Sequence, residues 1–274
     1  MLNLVGVDSP AFYNAKGNIQ KTDGAESVDI PPLALRIDRQ NLKIESESVL
    51  TSADSDGSFS NFTVGTDYYV YACQPAEGVE PDFILSVNST YPSSMPSGET
   101  PNADNTRKIG GFHYGRIRTG NNAGDVSEGI VPNSVWDMVN RPKCSPEGMA
   151  KVGNIWVDIY LASEDGQGGL ESAYDATPAT GTEGLSWYNF AEKAAKVDKR
   201  LLSMSEWIQA AKGSPQGNDG DNVNAWSATS NSGRTATGTV VNAISDYNIV
   251  DCAGNVYEWL DELSIRQDST SWQW

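Results

Sequence analysis

The sequence predicts an α+β protein, with an N-terminal antiparallel β-sandwich followed by a domain of two helices and a small sheet. Three observations carry this. Short alternating or aromatic-rich segments punctuated by turn residues fill the first half. Two capped helical stripes lie between residues 186 and 213. The composition, 38% hydrophobic and 20% charged over 274 residues, is that of a globular chain long enough for two domains.

Residues 41–50 (NLKIESESVL) alternate apolar and polar side chains, which predicts one half-buried strand. Residues 54–57 (DSDG) supply a turn. Residues 67–73 (DYYVYAC) are aromatic and β-branched and suit a pleated surface; Pro75 and Gly78 end them, and 83–87 (FILSV) form the next strand. Short strands between turn signals point to a sandwich. Pro92, Pro96, Gly98 and Pro101 make 92–106 a loop, and 119–125 (TGNNAGD) is a second. A domain boundary is expected at Val131-Pro132. The chain then reads as an N-terminal segment 1–30, a sandwich 31–131 and a second domain 132–274.

In the second domain, 154–161 (NIWVDIYL) predicts a strand with two apolar-capable faces, and so a central one. Residues 164–169 are a loop. Ser186 is an N-cap for a helix whose stripe is Trp187, Phe190, Ala191, Ala194 and Ala195. Ser203 and Glu206 form a capping box for a second helix with Trp207, Ala210 and Ala211 on its buried side and Gly213 as its C-cap. The long polar stretch 213–239 is expected to be a functional excursion.

The net charge of −17 excludes a nucleic-acid partner, and with no apolar run of bilayer length it excludes membrane insertion. The N-terminus lacks the basic and apolar regions of a secretory signal. Cys73, Cys144 and Cys252 are three widely spaced cysteines without a C-x-x-C pair, so buried thiols are expected, not a disulfide or zinc framework. Asn61 and Asn88 begin glycosylation-type triplets, read as chance matches. The single histidine, His113, lies in RKIGGFHY with no nucleophile elbow anywhere in the chain, so it is expected to be structural and triad hydrolysis is excluded. No catalytic residue and no cofactor are assigned.

Residues 199–201 (KRL) with Glu206-Trp207, and 254–259 (GNVYEW), resemble the formylglycine-generating family. Several further segments, in order, carry a second resemblance: 66–71 (TDYYVY), 107–114 (RKIGGFHY), 135–138 (VWDM) with Arg141-Pro142, 146–149 (PEGM) leading into 156–161 (WVDIYL), then 187–192 (WYNFAE) and 199–201 (KRL). Together they resemble the phage major tropism determinant family, retroelement-diversified variable proteins built on a C-type lectin fold of the branch shared with formylglycine-generating enzymes. The match includes the sandwich before Val131, which such an enzyme is not expected to share. The resemblance implies a homotrimeric receptor-binding protein at the tip of a viral tail fibre, made in the host cytoplasm. Its implied partners are a host cell-surface receptor, protein or glycan, and other virion tail proteins. Residues 1–30 do not resemble the family's N-terminal β-prism; they are assigned to a separate segment with a trimerisation role.

The same resemblance locates the variable face mainly beyond Trp274, with Trp272 and Trp274 as flanking ligand-binding candidates, although packing is the plainer role for both. In 254–259, Asn255 is expected to serve a turn, Trp259 to fill the core and Glu258 to bond backbone. Asp219 and Asp221, in NDGDN, are the calcium candidates. No acidic closing residue follows them and the sugar-binding Glu-Pro-Asn or Gln-Pro-Asp motif is absent, so a solvated turn and calcium-independent binding are expected. Two alternatives remain. One is formylglycine-type copper oxidation, which needs a cysteine pair where this sequence offers Cys252 alone. The other is a structural virion protein with no receptor.

Overall fold

The computed structural model describes residues 12–121, 124–215 and 234–262. The chain divides into two compact units, Met1–Ile117 with Glu128–Pro142, and Arg118–Ser127 with Lys143–Trp274. No helix among the described residues is long and apolar enough to cross a membrane.

The first unit is built from antiparallel strands, of which Arg118 at the end of β9 and residues 126–127 at the start of β10 are counted with the second unit: β1 Tyr13–Ala15, β2 Gln20–Lys21, β3 Val28–Ile30, β4 Leu33–Ile37, β5 Gln40–Ile44, β6 Ser48–Leu50, β7 Thr66–Cys73, β8 Asp82–Ser86, β9 Thr106–Arg118, β10 Val126–Ile130 and β11 Trp136–Asp137. They form sheets β1-β4-β5, β2-β3-β6 and β10-β9-β7-β8, with β11 added to β9. Alternation explains the inner faces. Leu33, Leu35 and Ile37 of β4 are buried while Ala34 and Arg36 between them are only half-buried. These side chains meet Val28, Ile30, Leu42, Val70, Ile109 and Phe112 in one core. Tyr68 stacks on Phe112 at 5.4 Å and meets Phe59 edge-on at 4.7 Å.

Gly110 and Gly111 are required by packing. A Cβ on Gly111 would lie 2.6 Å from the Tyr68 carbonyl oxygen and 2.9 Å from the Trp136 ring. β11 closes over this point, pairing Trp136 with Gly111. His113 is buried, its Nδ1 3.1 Å from the Asp67 carboxylate and its backbone N–H donating to Ser134 Oγ at 2.9 Å. That is the structural role expected of it.

Three boundaries differ from expectation. Residues 41–50 are two strands, β5 and β6, with an exposed turn at Glu45–Glu47; they join different sheets, so one continuous strand is impossible. Residues 12–30 do not stand apart from the sandwich. β1 pairs with Leu33–Leu35, and Ile19, Val28 and Ile30 are buried in the shared core. The first unit also runs past Val131 to Pro142, because β11 is hydrogen-bonded to β9.

The second unit has two small hairpins, β12 Met149–Val152 with β13 Ile155–Asp158, and β14 Ser163–Glu164 with β15 Leu170–Glu171. The strand expected over 154–161 therefore ends at Asp158 and is one arm of a two-stranded hairpin. Ile159, Tyr160 and Leu161 continue as buried irregular chain, with their backbone served locally. Ile159 N–H donates to Gly148 O at 2.8 Å, and Leu161 N–H to the Thr237 hydroxyl at 3.0 Å. Helices α1 Trp187–Lys196 and α2 Met204–Ala210 complete it. Phe190 and Ala194 of α1 pack with Leu170, Leu185 and Leu201. Ala195, placed on the buried stripe by spacing, is exposed, because only a narrow part of α1 meets this small core. The arrangement is α+β, strands with two short helices.

Candidate functional site

Within the second unit, α1, α2 and residues 251–262 are tied together by polar groups. The caps set each helix first. Ser186 Oγ accepts from Asn189 N–H while Asn189 Oδ1 accepts from Ser186 N–H at 2.8 Å. Ser203 and Glu206 repeat the device on α2, and Arg200 clamps the same Glu206 carboxylate, with Nη1 at 2.8 Å. This guanidinium, followed by the Ser203 backbone N–H, holds the Glu206 carboxyl down to about 2.

Residues 251–262 cross these helices without forming a strand. Asp251 is buried and takes hydrogen bonds from the Thr237 hydroxyl and Gly238 N–H, each at 2.8 Å. Asn255 has φ of 62°, the left-handed conformation that asparagine tolerates. Its Oδ1 accepts from Thr235 N–H at 2.9 Å and its Nδ2 donates to Thr235 O at 3.0 Å. The Trp187 indole N–H donates to Leu260 O at 2.8 Å, the Trp207 indole N–H to Glu258 Oε2 at 3.0 Å, and Asp261 N–H to Leu202 O at 2.8 Å. Two tryptophans thus act through their polar edge, a use that fits amphipathic rings at a partly wet surface.

Large apolar side chains are left outward on this frame. Tyr257 is fully exposed, Tyr188 is 78% exposed, Ile208 59% and Trp259 45%. Trp259 does not fill the core as expected. The anchoring falls instead on the flanking Glu258 side chain and the Leu260 and Asp261 backbone, which turns Trp259 outward. Glu258 likewise takes an indole N–H, not a backbone group. Asn255 does serve a turn. Spacing identified Trp187 and Trp207 as core; their place at the start of a helix and beside a capping glutamate was the available signal that their N–H groups face polar partners.

Glu258 is pushed up to about 7 by the protein crowding its carboxyl, against the opposing hydrogen bond from Trp207, although the residue as a whole keeps solvent contact. Cys252 is pushed up to about 12, first by burial and then by Glu258. A thiol held in this way is a poor thiolate donor. Cys73 and Cys144 are also free, and burial raises both thiols. These residues do not fit a copper centre of two soft thiolates. Among the described residues no cluster of three or more His, Cys, Asp or Glu side chains is arranged to hold a metal ion. Trp272, Trp274, Asp219 and Asp221 lie outside the described residues.

Residues 88–269 match the family described as the sulfatase-modifying factor enzyme 1-like domain. The chain belongs to that family. Ahead of and overlapping this domain, residues 34–137 match the Mtd second domain. The tail fiber receptor-binding protein of Bordetella phage BPP-1 is 28% identical over 243 residues, covering 81% of this chain and 61% of that protein. The chain therefore spans about three fifths of the length of the curated relative it matches.

Among solved structures, the Major Tropism Determinant M1 variant superposes with a TM-score of 0.71 at 21% identity, over 93% of this chain and 70% of that one. The I1 variant gives 0.70 at 22%, over 92% and 69%. The resemblance to the major tropism determinant family read from the sequence is borne out, by the paired domains and by the shared fold. The Mtd second domain accompanies the family domain in this chain, as the resemblance anticipated.

Proposed function

We propose that this chain is the receptor-binding part of a viral tail fibre. The observation that carries the reading is domain order. An Mtd second domain comes before a sulfatase-modifying-factor-like domain, and 81% of the chain matches a tail fiber receptor-binding protein. Fold alone does not assign function, but the exposed aromatic side chains on a tightly capped frame suit non-enzymatic recognition. Tyrosine and tryptophan supply contact area at little cost in side-chain freedom.

The partner is a host cell-surface receptor, protein or glycan, met by the second unit around Tyr188, Tyr257 and Trp259 and by the residues that follow, Trp272 and Trp274 included. The protein works as a homotrimer at the fibre tip beside other tail proteins. Several copies on one virion multiply modest single-site affinity. Retroelement-driven sequence variation is concentrated at and after this face.

The test is competition for adsorption. Purified protein displayed on beads is expected to coat permissive host cells and block attachment of the virus. Tyr257→Ala with Trp259→Ala is expected to weaken that block while leaving the melting temperature unchanged. Beads that neither coat cells nor block attachment overturn the proposal.

A further inference from the structure

In the first unit, far along the chain from the aromatic frame, a groove of about 590 Å³ opens between residues 87–93 and Thr100-Pro101. Its polar lining comes from Asn88, Ser89, Thr90, Tyr91, Ser93 and Thr100, and no lining side chain carries a charge. The groove is shallow and lies largely open to solvent.

The rim is a loop, yet its backbone is fixed from below. The Tyr71 hydroxyl donates to Asn88 O at 2.7 Å, Asn88 N–H donates to Ser86 Oγ at 2.9 Å, and the Lys108 ammonium donates to Ser89 O at 2.8 Å. Asn88 Nδ2 reaches Ser93 Oγ at 2.7 Å, and Ser93 N–H is held by the buried Asp56 carboxylate. Burial opposes ionisation of Asp56, but its hydrogen bonds from Ser58, Ser86 and Ser93 prevail and hold it below the ordinary range, as an anion. A buried anion, Asp56, and three strand side chains, Tyr71, Ser86 and Lys108, thus hold this loop in place. Such fixing lowers the ordering cost of binding.

We propose that this groove binds a neutral glycan. The chemistry of the lining selects that class. Hydroxyls and a primary amide both donate and accept, as sugar hydroxyls do. Tyr91, 40% exposed, offers a ring for the apolar face of a pyranose. No lining side chain is charged and the Lys108 ammonium at the rim is engaged by Ser89 O, so the lining favours a neutral sugar over an anionic one, and the chain's net charge of −17 disfavours an anion further. The reading concerns the first unit alone, so it stands or falls separately from receptor binding by the second.

The test uses the whole chain, fluorescently labelled, on an array of hexose- and N-acetylhexosamine-terminated neutral oligosaccharides beside sialylated and sulfated ones. Retention on neutral sugars is expected. Tyr91→Ala is expected to weaken it by about tenfold, the loss of one stacking contact. Thr100→Trp, which fills the groove from an exposed position, is expected to weaken it as well, and Tyr188→Ala in the second unit to leave it unchanged. If Tyr91→Ala lowers the melting temperature, Thr100→Trp decides. No neutral retention, retention on acidic sugars alone, or retention unmoved by either groove variant overturns the proposal. Loss with Tyr188→Ala instead would also overturn it.

Discussion

Replacing Thr237 with valine keeps the volume of a fully buried side chain and removes one oxygen. That oxygen accepts from Leu161 N–H at 3.0 Å and donates to Asp251 at 2.8 Å. In Thr237→Val the Leu161 N–H stays buried without its acceptor, a loss of about 1–3 kcal/mol. The buried Asp251 carboxylate loses one donor while keeping Gly238 N–H, a further loss of roughly 1–2 kcal/mol. The two effects share a site and add incompletely, so the expected destabilisation is about 3 kcal/mol. Thr237→Ser keeps the oxygen and loses a methyl group, with an expected loss near 1 kcal/mol.

Urea unfolding followed by tryptophan fluorescence reads this change. All eight tryptophans except Trp136 fall in the second unit, so the signal reports the unit that carries the substitution. At a slope of roughly 2 kcal/mol/M the midpoint of Thr237→Val should fall by about 1.5 M. A valine variant within 0.5 M of the parent, or one more stable than the serine variant, would refute the assignment of Thr237 as the polar link between Leu161 and Asp251.

Four further outcomes are expected. Glu206 titrates near 2 when folded against an ordinary 4.5, so its stabilising effect is full above about pH 4.5 and fades as pH falls toward 2; acid unfolding of Glu206→Gln should be less steep over that window. Glu258 shifts the opposite way, to about 7, so the parent should lose stability as pH rises from 4.5 to 7, and Glu258→Gln should flatten that slope. Gly111→Ala should destabilise the first unit by about 3 kcal/mol through overpacking against Trp136, visible as a lowered melting temperature. Calcium should leave the melting temperature unchanged, and a rise of several degrees would restore Asp219 and Asp221 as ligands.

What the sequence revealed follows how local each determinant is. Both helices were legible from local signals, the Ser186 N-cap with its apolar stripe and the Ser203–Glu206 capping box, while the Asn189 half of the first cap emerged only in the structure. The β7 and β8 strands were legible from aromatic and β-branched runs closed by Pro75 and Gly78. The break between β5 and β6 was legible and passed over: Glu45-Ser46-Glu47-Ser48 are four polar residues in a row, which interrupts the alternation, and the two strands take different partners, β4 for one and β3 for the other. The end of β13 at Asp158 was hidden, since Ile159 and Leu161 keep the period while their backbone turns to Gly148 and Thr237. The candidate site was half legible. Asn255 announced its turn, but the outward position of Trp259 depends on Trp187 and Trp207, at least 52 residues away in the chain, and no local pattern encodes that.

The two units interleave in sequence: residues 118–127 belong to the second although residues 128–142 return to the first. Arg118 shows what this arm contributes. Its backbone N–H donates to Asn248 Oδ1 at 2.9 Å and its guanidinium donates to Ile244 O at 3.1 Å. A lectin-type unit inherited from residue 143 onward would arrive without these contacts. Exchange between related chains by a single crossover after the sandwich would therefore join mismatched halves, unless the ten-residue arm travelled too. Diversity confined to surface positions of an intact unit avoids that penalty, whereas shuffling of whole domains meets it at every exchange.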